Sequence, residues 1–228
     1  MIKGLQKLTL LDYPGEIGAT VFLGGCNLRC PFCHNASLVL PEKFGETMPE
    51  EEFFDFLRSR RGKLRAVCVS GGEPTLYPGL FDFMRKIKEM GFLLKLDTNG
   101  TRPDVLKRLV CEGLLDYVAM DIKNSPEGYA KTVGIEPFDL SGVRESAEFL
   151  MSGAVDFEFR TTVVRELHGE EDIENIGKWL SGEEKFFLQT YTDSGDHIKD
   201  GYSGYTPAEM EALTEILKKY IPKAEKRG

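Results

Sequence analysis

Short apolar runs of strand length alternate with amphipathic helical stretches along nearly the whole chain, and this rhythm constrains the fold more than any other feature. Strand-like runs fall at 19–23, 66–70, 93–96, 117–120, 157–164 and 185–189. Helical patterns follow at 49–60, 78–90, 103–111, 140–151, 170–180 and 207–220. Runs that are apolar throughout are buried on both faces, and parallel strands need a crossover that a helix supplies. Helix starts carry proline or acidic residues, as in Pro49-Glu50-Glu51-Glu52 and Glu170-Glu171-Asp172, which suit the positive end of the helix dipole. Gly91 and Gly113 stand just past two helices, where a left-handed cap is expected.

Six strand–helix units in 228 residues stop two short of a closed eight-unit barrel of about 250 residues. The expectation is an α/β fold, a partial (β/α)6 barrel with a parallel sheet; a doubly wound open sheet is the alternative. With no repeat, low-complexity stretch or linker, a single domain over 1–228 is expected. Within it, 1–17 form an N-terminal extension, 18–190 the barrel core, and 191–228 a lid loop and C-terminal helix.

Sites in parallel α/β folds gather at the C-terminal ends of the strands. After the first strand comes Gly24-Gly25-Cys26-Asn27-Leu28-Arg29-Cys30-Pro31-Phe32-Cys33-His34-Asn35. Three thiolates are one short of the four that an ordinary [4Fe–4S] cluster takes, which would leave one iron open to bind a small molecule. The same cysteines with His34 also match a Cys3His zinc site. A disulfide framework is disfavoured, because the chain has five cysteines and opens without a signal-peptide pattern. No apolar run nears the roughly 20 residues of a membrane span, so a soluble, cytoplasmic protein is expected, where clustered thiols stay reduced.

The net charge of −8 argues against a nucleic-acid surface, which needs clustered positive charge. The one basic concentration, Lys218-Lys219 and Lys223 to Arg227, reads as a solvated tail near a helix C-terminus. The next three strand ends carry Ser70-Gly71-Gly72-Glu73-Pro74, Asp97-Thr98-Asn99-Gly100 and Asp121-Ile122-Lys123. Four glycine-rich or polar motifs on one face form a site, which a purely structural account does not supply.

The cysteine spacing with Phe32 as the aromatic before Cys33, followed by Gly-Gly-Glu-Pro after the next strand, resembles the radical S-adenosylmethionine enzymes. The strand-end motifs at Asp97 and Asp121 look like those of glycyl-radical-enzyme activases. The run Leu10-Leu11-Asp12-Tyr13-Pro14-Gly15 leading into Thr20-Val21-Phe22-Leu23 resembles activating proteins of anaerobic ribonucleoside-triphosphate reductases. The superfamily resemblance covers about residues 1–190.

The resemblance implies that Cys26, Cys30 and Cys33 ligate a [4Fe–4S] cluster whose open iron binds S-adenosylmethionine. It implies reductive cleavage to methionine and a 5′-deoxyadenosyl radical, which takes a hydrogen atom from a glycine of a partner glycyl-radical enzyme. The electron comes from a flavodoxin or ferredoxin. Phe32 would pack near the adenine or anchor the loop from beneath. Gly71 and Gly72 would let the backbone approach the ligand, and Glu73 would add a charge-assisted bond. Asp97 and Asp121 would organise ligand contacts or, as in some activases, a monovalent cation. Lys123 would pair with the ligand carboxylate, and Asn99 would hold ribose hydroxyls. Arg160, a charge in an apolar strand, would reach the ligand or pair with a carboxylate.

Rival readings are a radical enzyme acting on a small molecule, an activase of a formate-lyase, and a non-catalytic zinc module. Cys68 and Cys111 read as core positions and His168 as a surface turn residue. No second cysteine set accompanies them. The aperiodic loop 192–205 reads as a lid or docking loop. Gln189-Thr190-Tyr191-Thr192 stands where some relatives have a histidine.

Overall fold

The computed structural model describes residues 1–182 and 185–228. One eight-stranded sheet runs in chain order: β1 (Ile2–Thr9), β2 (Gly18–Leu23), β3 (Ala66–Gly71), β4 (Leu93–Thr98), β5 (Tyr117–Asp121), β6 (Asp156–Val163), β7 (Phe186–Thr190) and β8 (Glu225–Arg227). β1 is antiparallel to β2, and every later pair is parallel. The doubly wound alternative requires a reversal of strand order at a switch point. Here neighbours in the sheet are neighbours in the chain, and β1 and β8 do not pair. The fold is therefore the partial (β/α)6 barrel, open along one side.

The helices that complete the units are α2 (Glu50–Arg60), α3 (Leu80–Glu89), α4 (Pro103–Cys111), α6 (Ser141–Met151), α7 (Glu170–Trp179) and α8 (Pro207–Lys218). Two short helices were not legible in the sequence, α1 (Ala36–Val39) after the cysteines and α5 (Tyr129–Val133) after β5. α2 places Glu50–Glu52 in its first turn and Arg58 and Arg60 in its last, each charge opposing the dipole end beside it. α8 opens with a reciprocal Thr206–Glu209 capping box and Pro207 in its first turn.

Strand side chains alternate between the two faces of the sheet. Val67, Val69, Leu94, Leu96, Val118, Met120, Phe159 and Leu188 join the main core. Their neighbours in sequence face the barrel interior. At its lower end Tyr13, Ala66, Cys68 and Tyr117 form a separate small cluster, in which the rings of Tyr13 and Tyr117 lie 5.9 Å apart. The 10–15 run thus turns Tyr13 inward to plug the barrel while Leu10 and Leu11 face outward.

Three expectations are corrected. Residues 2–9 of the supposed extension form a full edge strand, because their backbone pairs with β2 from Ile2–Leu23 to Thr9–Gly18. The supposed solvated tail contains β8, held by the Arg227 guanidinium on the buried Glu158 carboxylate at 3.0 and 3.2 Å. Cys111 is exposed at the end of α4, whereas Cys68 is fully buried.

Candidate active site

The loop leaving β2 is anchored on both sides by backbone hydrogen bonds. Gly25 donates to Leu38 O at 2.7 Å and Arg29 to Val133 O at 2.9 Å, so α1 and α5 hold the cysteine loop from two sides. Beyond the strand ends, Gly72 donates to Leu23 O at 2.9 Å and Glu73 to Gly25 O at 2.8 Å. The β2–β3 pairing therefore continues into the cysteine loop. A β-carbon on Gly72 would stand 2.2 Å from Gly25 O, and one on Gly71 2.2 Å from Leu23 O. Gly71 also has φ +127°. Only glycine fits at either position.

Cys26, Cys30 and Cys33 line a cavity of about 210 Å³ together with Phe32, Gly71, Gly72, Asp97, Asn99, Asp121, Lys123 and Arg160. The structure thus brings every sequence-predicted site residue except Glu73 to one pocket at the C-terminal ends of the strands. The Glu73 carboxylate, 2% exposed, is used up by protein donors. It accepts from Thr75 N at 3.1 Å, Thr75 Oγ1 at 2.5 Å, Thr98 Oγ1 at 2.8 Å and Asn99 N at 2.7 Å. Its place is between the β3 and β4 loops, behind the cavity wall.

The far wall is an ionic ladder. Arg160 lies 3.0 Å from Asp121 and 3.6 Å from Asp97; Lys123 lies 2.9 Å from Asp121, and Lys95 2.7 Å from Asp97. Burial alone would raise the Asp121 carboxyl, but Lys123 and Arg160 outweigh it and hold it at about 2. The same balance keeps Asp97 below its ordinary value and Lys123 above its own. Both aspartates are anionic, and Lys123 and Arg160 are charged, at neutral pH.

The Phe32 ring lines the cavity and packs 6.3 Å from Tyr191 and 6.4 Å from His168, both edge-on. His168 is fully buried rather than at a surface turn. Val164 N donates to its Nδ1 at 3.0 Å, and Nε2 meets Lys123 O at 2.8 Å. With Nδ1 accepting, Nε2 carries the proton, and a neutral imidazole fixes the backbone of Lys123. The 192–205 loop straps the cysteine region. Asp196 accepts from Ser37 N at 3.1 Å and from Ser37 Oγ at 2.6 Å, and Lys199 N donates to Pro31 O at 2.9 Å.

Sequence reasoning missed several members of the lining: Ser70, Thr98, Thr162 and Gln189, and His34 as a cavity residue. Period-two alternation marks Thr162, since it shares a strand face with Arg160. The sequence marks His34 only as a candidate zinc ligand beside Cys33; its ring packs on Tyr191 at 4.7 Å while its buried Nε2 has no partner among the described residues.

The donor set fits an iron–sulfur cluster. All three thiols are free. Burial pushes Cys26 up to about 11, Cys30 up to about 12, and Cys33 in the same direction. Thiolates here therefore require strong positive charge beside them, which iron supplies. Among the described residues no three His, Cys, Asp or Glu side chains converge on a point that a single metal ion would occupy. A cubane gives each cysteine its own iron, whereas zinc needs its ligands on one ion.

The family model for the radical SAM superfamily matches residues 20–180. The chain belongs to the radical S-adenosylmethionine superfamily, whose cofactors are a [4Fe–4S] cluster and S-adenosylmethionine. Within it, the chain is 35% identical to a candidate glycyl-radical enzyme activating enzyme of Methanocaldococcus jannaschii, covering 97% of this chain and 93% of that one. It is 32% identical to the pyruvate formate-lyase-activating enzyme of Clostridium pasteurianum, covering 87% of this chain and 73% of the relative. The fold is shared with Streptococcus suis SuiB bound to its precursor peptide SuiA, at a TM-score of 0.73 and 15% identity. That match takes in 92% of this chain and 48% of SuiB, about half its length. No helix among the described residues is long and apolar enough to cross a membrane.

Proposed function

We propose that the chain activates a glycyl-radical enzyme, removing a hydrogen atom from a backbone glycine of an anaerobic ribonucleoside-triphosphate reductase. The observation that carries this reading is the position of the cysteine-lined cavity at the mouth of a barrel that β1 and β8 leave open. A glycine in a partner's chain needs such access. A [4Fe–4S] cluster held there would supply the one electron that cleaves S-adenosylmethionine to methionine and a 5′-deoxyadenosyl radical.

The protein's own residues provide the setting. Cys26, Cys30 and Cys33 would hold three of the cluster's irons. Gly71 and Gly72 bring main-chain groups against the ligand. Lys123 and Arg160 offer positive charge to a carboxylate, and the two aspartates keep both side chains in place. Leu28, Phe32 and Val39 give the cavity an apolar side that limits water around a reactive species.

The reductase as partner is supported by the 10–15 run that leads into β2. Clusters with this task work toward the negative end of the iron–sulfur range, about −700 to +450 mV, so the donor is a flavodoxin or ferredoxin of the cytoplasm. A single domain over 1–228 carries the whole reaction. A formate-lyase partner is the second reading, favoured by the likeness to the Clostridium activase.

The test is anaerobic reconstitution and reduction, with 5′-deoxyadenosine measured chromatographically alone and with each candidate partner. The expected result is product formation, plus an oxygen-labile glycyl radical by electron paramagnetic resonance on the reductase. A radical on the formate-lyase alone selects the second reading. Absence of product from protein holding four irons and S-adenosylmethionine overturns the proposal.

A further inference from the structure

Asn99 has its side-chain amide taken up by protein partners at both the oxygen and the nitrogen. Its backbone N–H donates to Glu73 Oε2 at 2.7 Å. Its Oδ1 accepts from Thr101 N at 3.0 Å and from Thr101 Oγ1 at 2.7 Å. Because a backbone N–H can only donate, that oxygen is assigned, and the amide nitrogen must point the other way. There one N–H meets Asn27 Oδ1 at 3.0 Å and the other points to Cys26 Sγ at 3.9 Å. Asn27 is oriented in turn by its own bond to Thr101 Oγ1 at 2.8 Å. The ring of Asn27, Asn99 and Thr101 closes on itself, with Asn99 4% exposed.

Cys26 Sγ also accepts from Leu28 N at 3.4 Å, so two N–H groups from different loops face the sulfur of the first cysteine. We propose that Asn99 is a hydrogen-bond donor to the Cys26 thiolate, held in register by Glu73, and that this pair sets the reduction potential of the cluster. The inference rests on the radical SAM reading of the three cysteines. N–H groups aimed at a ligating sulfur stabilise negative charge, and the reduced cluster carries one more negative charge than the oxidised one. Such bonds therefore raise the potential. Glu73 is the positioning residue. Its carboxylate takes Thr98 and Asn99 together, which fixes the loop after β4 against the one after β3, and so the distance from Asn99 to Cys26.

The experiment is a potentiometric titration of reconstituted protein, following the reduced cluster by electron paramagnetic resonance with iron content measured in parallel. In Asn99→Leu the reduced-to-oxidised ratio at a fixed potential is expected to fall about threefold to tenfold, or roughly 30 to 60 mV for one electron. Glu73→Gln shifts it in the same sense by less. Asn27→Ala, which removes the acceptor for Asn99 and the donor to Thr101 but no donor to the sulfur, leaves it in place. If Asn99→Leu takes up less iron, Asn99→Asp, of nearly the same shape but without the donor, carries the same expectation. An unchanged potential in a fully loaded Asn99 variant overturns the assignment. So does an equal fall in the Asn27 and Asn99 variants, and so does failure of both Asn99 variants to take up iron. If the wild-type protein assembles no [4Fe–4S] cluster, the reading of the cysteines fails instead.

Discussion

Between β2 and β4 the cavity wall is closely packed backbone, whereas between β4 and β7 it consists of paired charged side chains. In the first half, the loops carrying Cys26 and Gly72 approach so closely that one added carbon would overlap a carbonyl oxygen. In the second half the charges pair both along a strand, as Lys95 with Asp97 on β4, and between strands, as Asp121 from β5 with Arg160 from β6. The backbone half is limited by volume at its glycines. The charged half is limited by the pairing of its buried charges.

Five perturbations, ordered by their effect first on activity and then on stability, can break or sharpen this contrast. Cys30→Ala removes a ligand from the backbone half, and 5′-deoxyadenosine formation is expected to vanish with loss of the cluster by iron analysis. Gly72→Ala adds one carbon there. Deoxyadenosine formation per mole of protein should fall by about tenfold or more, equivalent to about 1.4 kcal/mol of misplacement, with far-ultraviolet circular dichroism unchanged. Wild-type turnover in this variant would show that the two loops are not locked together.

Arg160→Met keeps the volume and removes the cation shared by Asp97 and Asp121. Leaving buried carboxylates short of a partner costs about 3 kcal/mol, to be read from chemical denaturation of the apoprotein. Arg227→Ala at the sheet edge should cost less, about 1 to 2 kcal/mol, because Glu158 keeps the Tyr117 hydroxyl at 3.2 Å. Equal losses would mean that the ladder is no more demanding than the edge clamp.

The smallest effect concerns acid. Asp121 is held at about 2 in the folded protein against an ordinary 3.8. Its share of stability is present above the ordinary value and disappears as the pH falls from about 4 toward 2. Apoprotein stability should drop across that window, and the drop should be shallower in Asp121→Asn. An identical profile in the variant would place the acid sensitivity elsewhere, with Asp97 as the next carboxylate to replace.

Legibility followed the same division. The cysteines, Gly71, Gly72 and the strand-end motifs could be read as a site because residues close in sequence make that half. The six parallel strands were equally legible, since burial on both faces leaves a continuous apolar signature. The antiparallel β1 was missed because residues 2–9 are largely half-buried or exposed, with too little apolar pattern to distinguish an edge strand from an extension. β8 was missed because three exposed residues carry no periodicity. His168 was misplaced because a histidine in a polar connection looks solvated until the chain folds Val164 and Lys123 around its two nitrogens. Glu73 was expected to face the ligand, but its position behind the wall depends on Thr98 and Asn99, some 25 residues away in the chain.

The sequence alone determined the six-unit α/β architecture, the three clustered cysteines and the glycine pair, because periodicity and spacing are local and survive without coordinates. Only the tertiary structure decided which charges pair along the barrel interior, which side chains turn behind the cavity wall, and which strands form the edges of the open side. Those outcomes depend on contacts between residues far apart in sequence, where burial leaves each polar group to whatever partner the fold brings within reach.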